Sequence, residues 1–121
     1  MAKVRYFVDD VDMAVSFYVQ HLGFELVNQF GTAIAMVAKD DLTLWISGPA
    51  TDATQPMLDG SVPGPGGWNR FVFEVADIEA VVASMAQAGV NFRNNVVNGT
   101  GGKQILAEDP SGNPIELFQA T

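Results

Sequence analysis

"VDDVDMAVSFYVQHLGFEL", residues 8–26, is answered later in the chain by "VADIEAVVASMAQAGVNF", residues 75–92. Both run Val, any residue, Asp, aliphatic, acidic, then an apolar pattern of helical spacing that ends at a glycine. Asp10 matches Asp77 and Gly23 matches Gly89, with one residue of difference inside the helix. Each segment has the chemistry of a helix. A carboxylate at Asp10 or Asp77 can accept from the free N–H groups of a first turn. Asp12 and Glu79 add negative charge beside the positive end of the helix dipole. Val11, Ala14, Phe17, Tyr18 and Leu22 make one apolar stripe, and Ile78, Val81, Val82, Met85 and Ala88 make a second. Gly23 and Gly89 suit the left-handed position after a helix end.

Strands are expected around each helix. "KVRYFV" precedes the first, and "FELVNQF", "AIAMVAK" and "LTLWIS" follow it. "NRFVFEV" precedes the second, and "VNFRNNVV", "KQILAE" and "PIELFQ" follow it. The reading is two tandem βαβββ modules within one domain, 1–121. Module 1 covers about residues 1–48, a linker about 49–67, and module 2 about 68–121. The fold class is α+β, with curved, mostly antiparallel sheets around a groove and one helix on a face of each sheet. The Pro- and Gly-rich linker is either a lid over a site or a plain tether. "EDPSGNPIEL", residues 108–117, reads as a turn and a last strand, with Asp109, Pro110, Gly112 and Asn113 supplying the turn. Ile115 and Leu117 share one face there, and Glu116 points to the other.

Composition narrows the function. The chain has 121 residues, 48% of them hydrophobic, which suits one domain with a real core. Cysteine is absent, which excludes disulfides, thiolate metal sites and a cysteine nucleophile. There are 14 acidic and 6 basic residues, for a net charge of −8. Such a surface repels nucleic acid and anionic lipid, and neither is expected as a partner. "MAKVRYFVDD" lacks a signal-peptide core and no stretch is long enough to span a bilayer, so a cytoplasmic protein is expected.

The Asp-capped helix with "FY" and "LGF", together with "DPSGNPIEL", resembles the vicinal oxygen chelate superfamily. That superfamily includes glyoxalase I, bleomycin-resistance proteins and extradiol dioxygenases. The resemblance covers essentially the whole chain and implies a metal site with one ligand from each of four strands, commonly His, Gln or Glu. The residue seven before Asp10 is Lys3, and the residue seven before Asp77 is Arg70. "LTL" matches "IEL", so Thr43 answers to Glu116. Lys3, Thr43 and Arg70 depart from the pattern, because two of them are cations that repel a divalent metal. Only Glu116 is a usual ligand. The one histidine, His21, lies at the end of the first helix. No metal and no cofactor is expected. The resemblance implies instead that Glu116 faces Arg70 as a paired charge.

Strand alternation assigns the groove side. Lys3, Arg5 and Phe7 share it on the first strand; Arg70, Val72 and Glu74 on the fifth; Thr43, Trp45 and Ser47 on "LTLWIS"; Glu116 and Phe118 on the last. The expected ligand-binding set is Arg5, Phe7, Trp45, Trp68, Arg70, Glu74, Glu116 and Phe118. Aromatic walls with a few convergent charges suit a small organic molecule. Phe7 and Trp45 would equally fill a dimer interface, and a homodimer is expected. The reading that follows is a metal-free binding protein of the bleomycin-resistance-like type, holding an aromatic or cationic compound. The alternative is a glyoxalase-like lyase or isomerase, or a dioxygenase, with a non-standard site whose catalytic residue is Glu116. A regulatory dimer module is a third possibility.

Overall fold

A computed structural model describes residues 1–121. The chain divides into two compact units, Met1–Gly66 and Gly67–Thr121. The first carries β1 (Val4–Phe7), α1 (Val11–Leu22), β2 (Glu25–Phe30), β3 (Ile34–Lys39) and β4 (Leu42–Ser47), then a single 3-10 turn at Asp52–Thr54. The second carries β5 (Val72–Glu74), α2 (Ile78–Gln87), β6 (Asn91–Phe92), β7 (Val97–Asn98), β8 (Gly102–Glu108) and β9 (Pro114–Ala120). The helices are short, and none is long and apolar enough to cross a membrane.

The first sheet runs β1-β4-β3-β2 and the second β5-β9-β8-β6, with β7 also on β8. Two pairings are parallel, β1 on β4 and β5 on β9; the others are antiparallel. The sheets are therefore mixed, antiparallel in the main, and the α+β architecture stands. The helix after β1, and that after β5, lets the chain return parallel to its first strand.

Both helices start and stop as their sequences dictate. The Asp10 carboxylate accepts from the Met13 N–H at 3.0 Å, and Asp77 from the Ala80 N–H at 3.1 Å. Gly23 closes α1 at φ 71, where a side chain would be strained. In α1 all five expected stripe residues are buried. Tyr18 meets Phe17, Phe24 and Tyr6 edge-on at centroid distances of 5.2, 5.6 and 6.4 Å. The sheet presents Tyr6, Ala35, Val37, Leu44 and Ile46 to the same core. Burying each such large side chain is worth about 1.5–3 kcal/mol. In α2 only Ile78 and Met85 are buried; Val81 and Val82 are half-buried and Ala88 is exposed. That helix buries less, and it is tied down by a polar contact: the Ile78 N–H donates to Gln119 Oε1 at 2.8 Å.

"VNFRNNVV" does not form one strand. It breaks into β6 and β7, both against β8. The cause is Asn94, whose side-chain Oδ1 takes the Leu106 N–H at 2.9 Å. A side chain there replaces the main-chain acceptor of a regular ladder. The hairpin from β8 to β9 is built as its sequence suggests. Asp109 accepts from the Ser111 and Asn113 N–H groups at 2.9 and 3.0 Å and from Asn113 Nδ2 at 2.9 Å. Its buried carboxylate is thereby satisfied.

Candidate functional site

Each unit gathers charged and aromatic side chains on the sheet face away from its helix. In the first, Arg5 on β1 lies across from Trp45 on β4. Its guanidinium stacks over the indole, 5.0 Å from the ring centroid, and Nη1 donates to Ser47 Oγ at 3.0 Å. Alternation puts Arg5, Trp45 and Ser47 on one face, and these contacts agree. Phe7, half-buried, sits across from Ser47 on the same strands.

Beside Arg5 is a cavity of about 350 Å³. Ala33 and Ile34 line it from β3 and the turn before it, and Ala50–Ala53 from the loop after β4. Of the expected site residues, only Arg5 lines it. The loop wall is held in place. Gly48 donates to the Ala33 carbonyl at 2.8 Å, Thr54 Oγ1 to the Gly48 carbonyl at 2.9 Å, and the Thr51 and Thr54 hydroxyls are 3.0 Å apart. Gly48 itself packs so closely that a Cβ would stand 2.8 Å from Val11 Cγ2. The start of the linker is thus part of a cavity wall. No sequence pattern marked Ala50 or Ala53, since their role is set by where the loop folds back.

In the second unit the Arg70 guanidinium grips Glu116. Nε and Nη2 both donate to Glu116 Oε1, at 3.1 and 2.7 Å. Nη1 reaches the Trp68 carbonyl at 3.3 Å. Glu116 is buried, and its side chain is 11% exposed against 27% for Arg70. Glu74 is exposed and lies across from the half-buried Phe118. The Trp68 ring does not lie on Arg70. It covers Arg93, whose Cζ is 4.7 Å from the ring centroid.

Arg93 and Glu108 are a second pair that the sequence reading missed. Arg93 Nε donates to Glu108 Oε2 at 2.8 Å, Nη1 to the Gly67 carbonyl at 2.6 Å and Nη2 to the Gly112 carbonyl at 2.9 Å. Alternation along "KQILAE" was the available signal. Gln104, Leu106 and Glu108 share the face of Glu116, because Leu106 pairs with Glu116 in register.

The strand register also revises one correspondence between the halves. Arg5 precedes Asp10 by the same five residues that separate Val72 from Asp77. Arg5 lies across from Trp45, and Val72 across from Glu116. By register, then, Trp45 rather than Thr43 holds the place of Glu116.

The donor set does not fit a divalent metal. Lys3 and Arg70 are cationic, Thr43 is a neutral alcohol, and Trp45, which takes its place by register, is an indole with no ligand atom to offer. Glu116 Oε1 is already occupied by a guanidinium. No three His, Asp or Glu side chains elsewhere converge in a way that could hold an ion.

No curated protein matches the chain. Solved structures do. Lactoylglutathione lyase from Agrobacterium tumefaciens superposes with a TM-score of 0.76 at 18% identity, over 98% of this chain and 92% of that one. FosX, a fosfomycin resistance protein from Listeria monocytogenes, gives 0.75 at 15% identity, over 100% and 93%. TnmS3, an antibiotic binding protein from Streptomyces sp. CB03234, gives 0.70 at 25% identity, over 100% and 97%. The first two likenesses are of fold. Residues 1–117 match one family throughout, both βαβββ units included. The chain belongs to the Glyoxalase/Bleomycin resistance protein/Dioxygenase superfamily.

Proposed function

We propose that the chain is a metal-free small-molecule-binding protein of the bleomycin-resistance-like type, and that its ligand is an aromatic compound. One observation carries this: the lone carboxylate at an implied ligand position, Glu116, is held by Arg70 on Oε1. A guanidinium there neutralises the charge that a metal would need. The similarity to an antibiotic binding protein over the whole chain supports the same reading. On the first unit's face Phe7 and Trp45 supply flat apolar surface and Arg5 polarity; on the second unit's face Trp68 and Phe118 supply the surface and Arg70 and Glu116 the polarity. The three arginines of these faces favour an aromatic ligand over a cationic one. The test is a thermal-shift screen with planar aromatic compounds, repeated on Trp45→Ala. A ligand that raises the melting temperature of the wild type and not of the variant supports the proposal. No hit among aromatic compounds, with turnover of the glutathione–methylglyoxal hemithioacetal instead, overturns it.

A second reading has one observation in its favour. Glu116 Oε2 has no hydrogen-bond partner, while no buried side-chain oxygen in the protein lacks one. That oxygen is therefore reachable, and a glyoxalase-like lyase or isomerase could use it as a general base. Loss of turnover in Glu116→Gln would carry that reading.

The proposal extends to a homodimer in the cytoplasm. β2 is an edge strand with Leu26, Val27 and Phe30 exposed at 47%, 64% and 56%. A bare apolar edge favours cover by another chain. Recovery of the protein outside the cytoplasm on cell fractionation would refute the placement.

A further inference from the structure

We infer that the cavity of the first unit is a subsite for an acidic group, a carboxylate carried by the aromatic compound, and that Arg5 reads it. The inference rests on the binding function proposed above and names the chemistry of the ligand. The three arginines of the chain differ in their partners. Arg70 and Arg93 each hold a glutamate, at 2.7 and 2.8 Å. Arg5 holds none. Its protein contacts are one hydroxyl, Ser47 Oγ, and one ring, Trp45.

A guanidinium has five N–H donors in a planar fork, and Arg5 spends one of them. The Trp45 ring and the Ser47 hydrogen bond restrain the guanidinium, which lowers the entropy lost when an anion docks. The cavity next to it is otherwise walled by small apolar side chains, Ala33, Ile34, Ala50 and Ala53, with the buried Thr51. Its loop wall is pinned by the Gly48 and Thr54 hydrogen bonds before any ligand arrives. Asp52 also lines the cavity but makes no ion pair with Arg5. Its charge opposes an anion, so it tunes the affinity downward. A planar carboxylate matches the free edge of the fork bidentately, and the ring that bears it meets the apolar wall.

The test uses three probes on one ring system: 2-naphthoate, 2-naphthylmethanol and 2-naphthylmethylammonium. Binding is followed by 1H–15N NMR at the Trp45 indole N–H and the Arg5 Nε–H. The expected result is that naphthoate shifts both resonances and binds at least tenfold tighter than the alcohol or the amine. Arg5→Gln should abolish that preference, so that naphthoate binds no tighter than the alcohol. Asp52→Asn should tighten naphthoate two- to fivefold. If Arg5→Gln lowers the melting temperature, Arg5→Lys decides: it keeps the charge, loses the fork, and should lose part of the preference. If the alcohol or amine binds as tightly as naphthoate at these resonances, the binding function stands and the acidic subsite is wrong. If naphthoate binds without regard to Arg5, the subsite is likewise wrong. If none of the three binds, both fail.

Discussion

Arg70 donates to a single oxygen of Glu116 through two nitrogens, at 3.1 and 2.7 Å, and leaves the other carboxylate oxygen without a partner. The pair is neither sealed in the core nor loose on the surface, with side chains 27% and 11% exposed. Removing the arginine strands a largely buried carboxylate. Arg70→Ala should therefore destabilise the protein by about 1–3 kcal/mol. Glu116→Gln keeps the shape and one acceptor and should cost less. Urea denaturation of the two variants checks the order. Equal stability of wild type and Arg70→Ala would mean that the pair is only a surface contact.

Arg93 should matter more than Arg70. It satisfies Glu108 and the carbonyls of Gly67 and Gly112 at once and carries the Trp68 ring. Arg93→Ala should cost about 2–4 kcal/mol, and Arg93→Lys should recover little, since an ammonium cannot span three acceptors in one plane. Full rescue by lysine would show that charge alone is used there.

Gly102 begins β8 where a Cβ would fall against the Gln119 carbonyl oxygen and stand 3.0 Å from Phe118 Cζ. Gly102→Ala must push β8 from β9, the pairing that carries Glu116. A loss of more than about 2 kcal/mol is expected, measured by thermal unfolding. Gly64→Ala, where the space is open, serves as the control.

Lys103 Nζ donates to Glu79 Oε1 at 2.9 Å, and this contact holds the Glu79 carboxyl below its ordinary value. A carboxyl with a lowered folded-state pKa stabilises above its unfolded pKa. That stability is lost as pH falls through the folded one. Both side chains are well exposed, so the effect is small. An NMR titration of Glu79 should give a depressed midpoint in the wild type and a higher one in Lys103→Ala.

Much of this was legible in the residues. Asp10 and Asp77 marked both helix starts because an N-cap is a local contact between a side chain and the next turn. Alternation put Arg5 with Trp45 because a strand has only two faces; the pairing of Arg70 with Glu116 followed from the resemblance, and Arg70 lies two residues before β5. Other features are not local. The Asn94 contact that splits β6 from β7 reaches a strand twelve residues away. The offset that sets Trp45 against Arg5, and Glu116 against Val72, is a pairing register, which matched tripeptides do not encode. The cavity at Arg5 depends on the fold-back of Ala50–Ala53, small residues with no periodicity to read.

The exposed β2 edge predicts a mass near twice 12.9 kDa in solution. Sedimentation equilibrium at micromolar concentration measures it. Val27→Asp with Phe30→Asp should give the monomer without unfolding. A monomeric wild type would remove the dimer from the account.

If Arg70 holds Glu116 in place of a metal, the protein binds no divalent ion there. Calorimetric titration with Ni²⁺, Zn²⁺, Mn²⁺ and Fe²⁺, on the wild type and on Glu116→Ala, tests it most directly. No stoichiometric binding in the micromolar range is expected, and no difference between the two proteins. One equivalent of any of these ions bound at micromolar affinity by the wild type, and lost in Glu116→Ala, would contradict it.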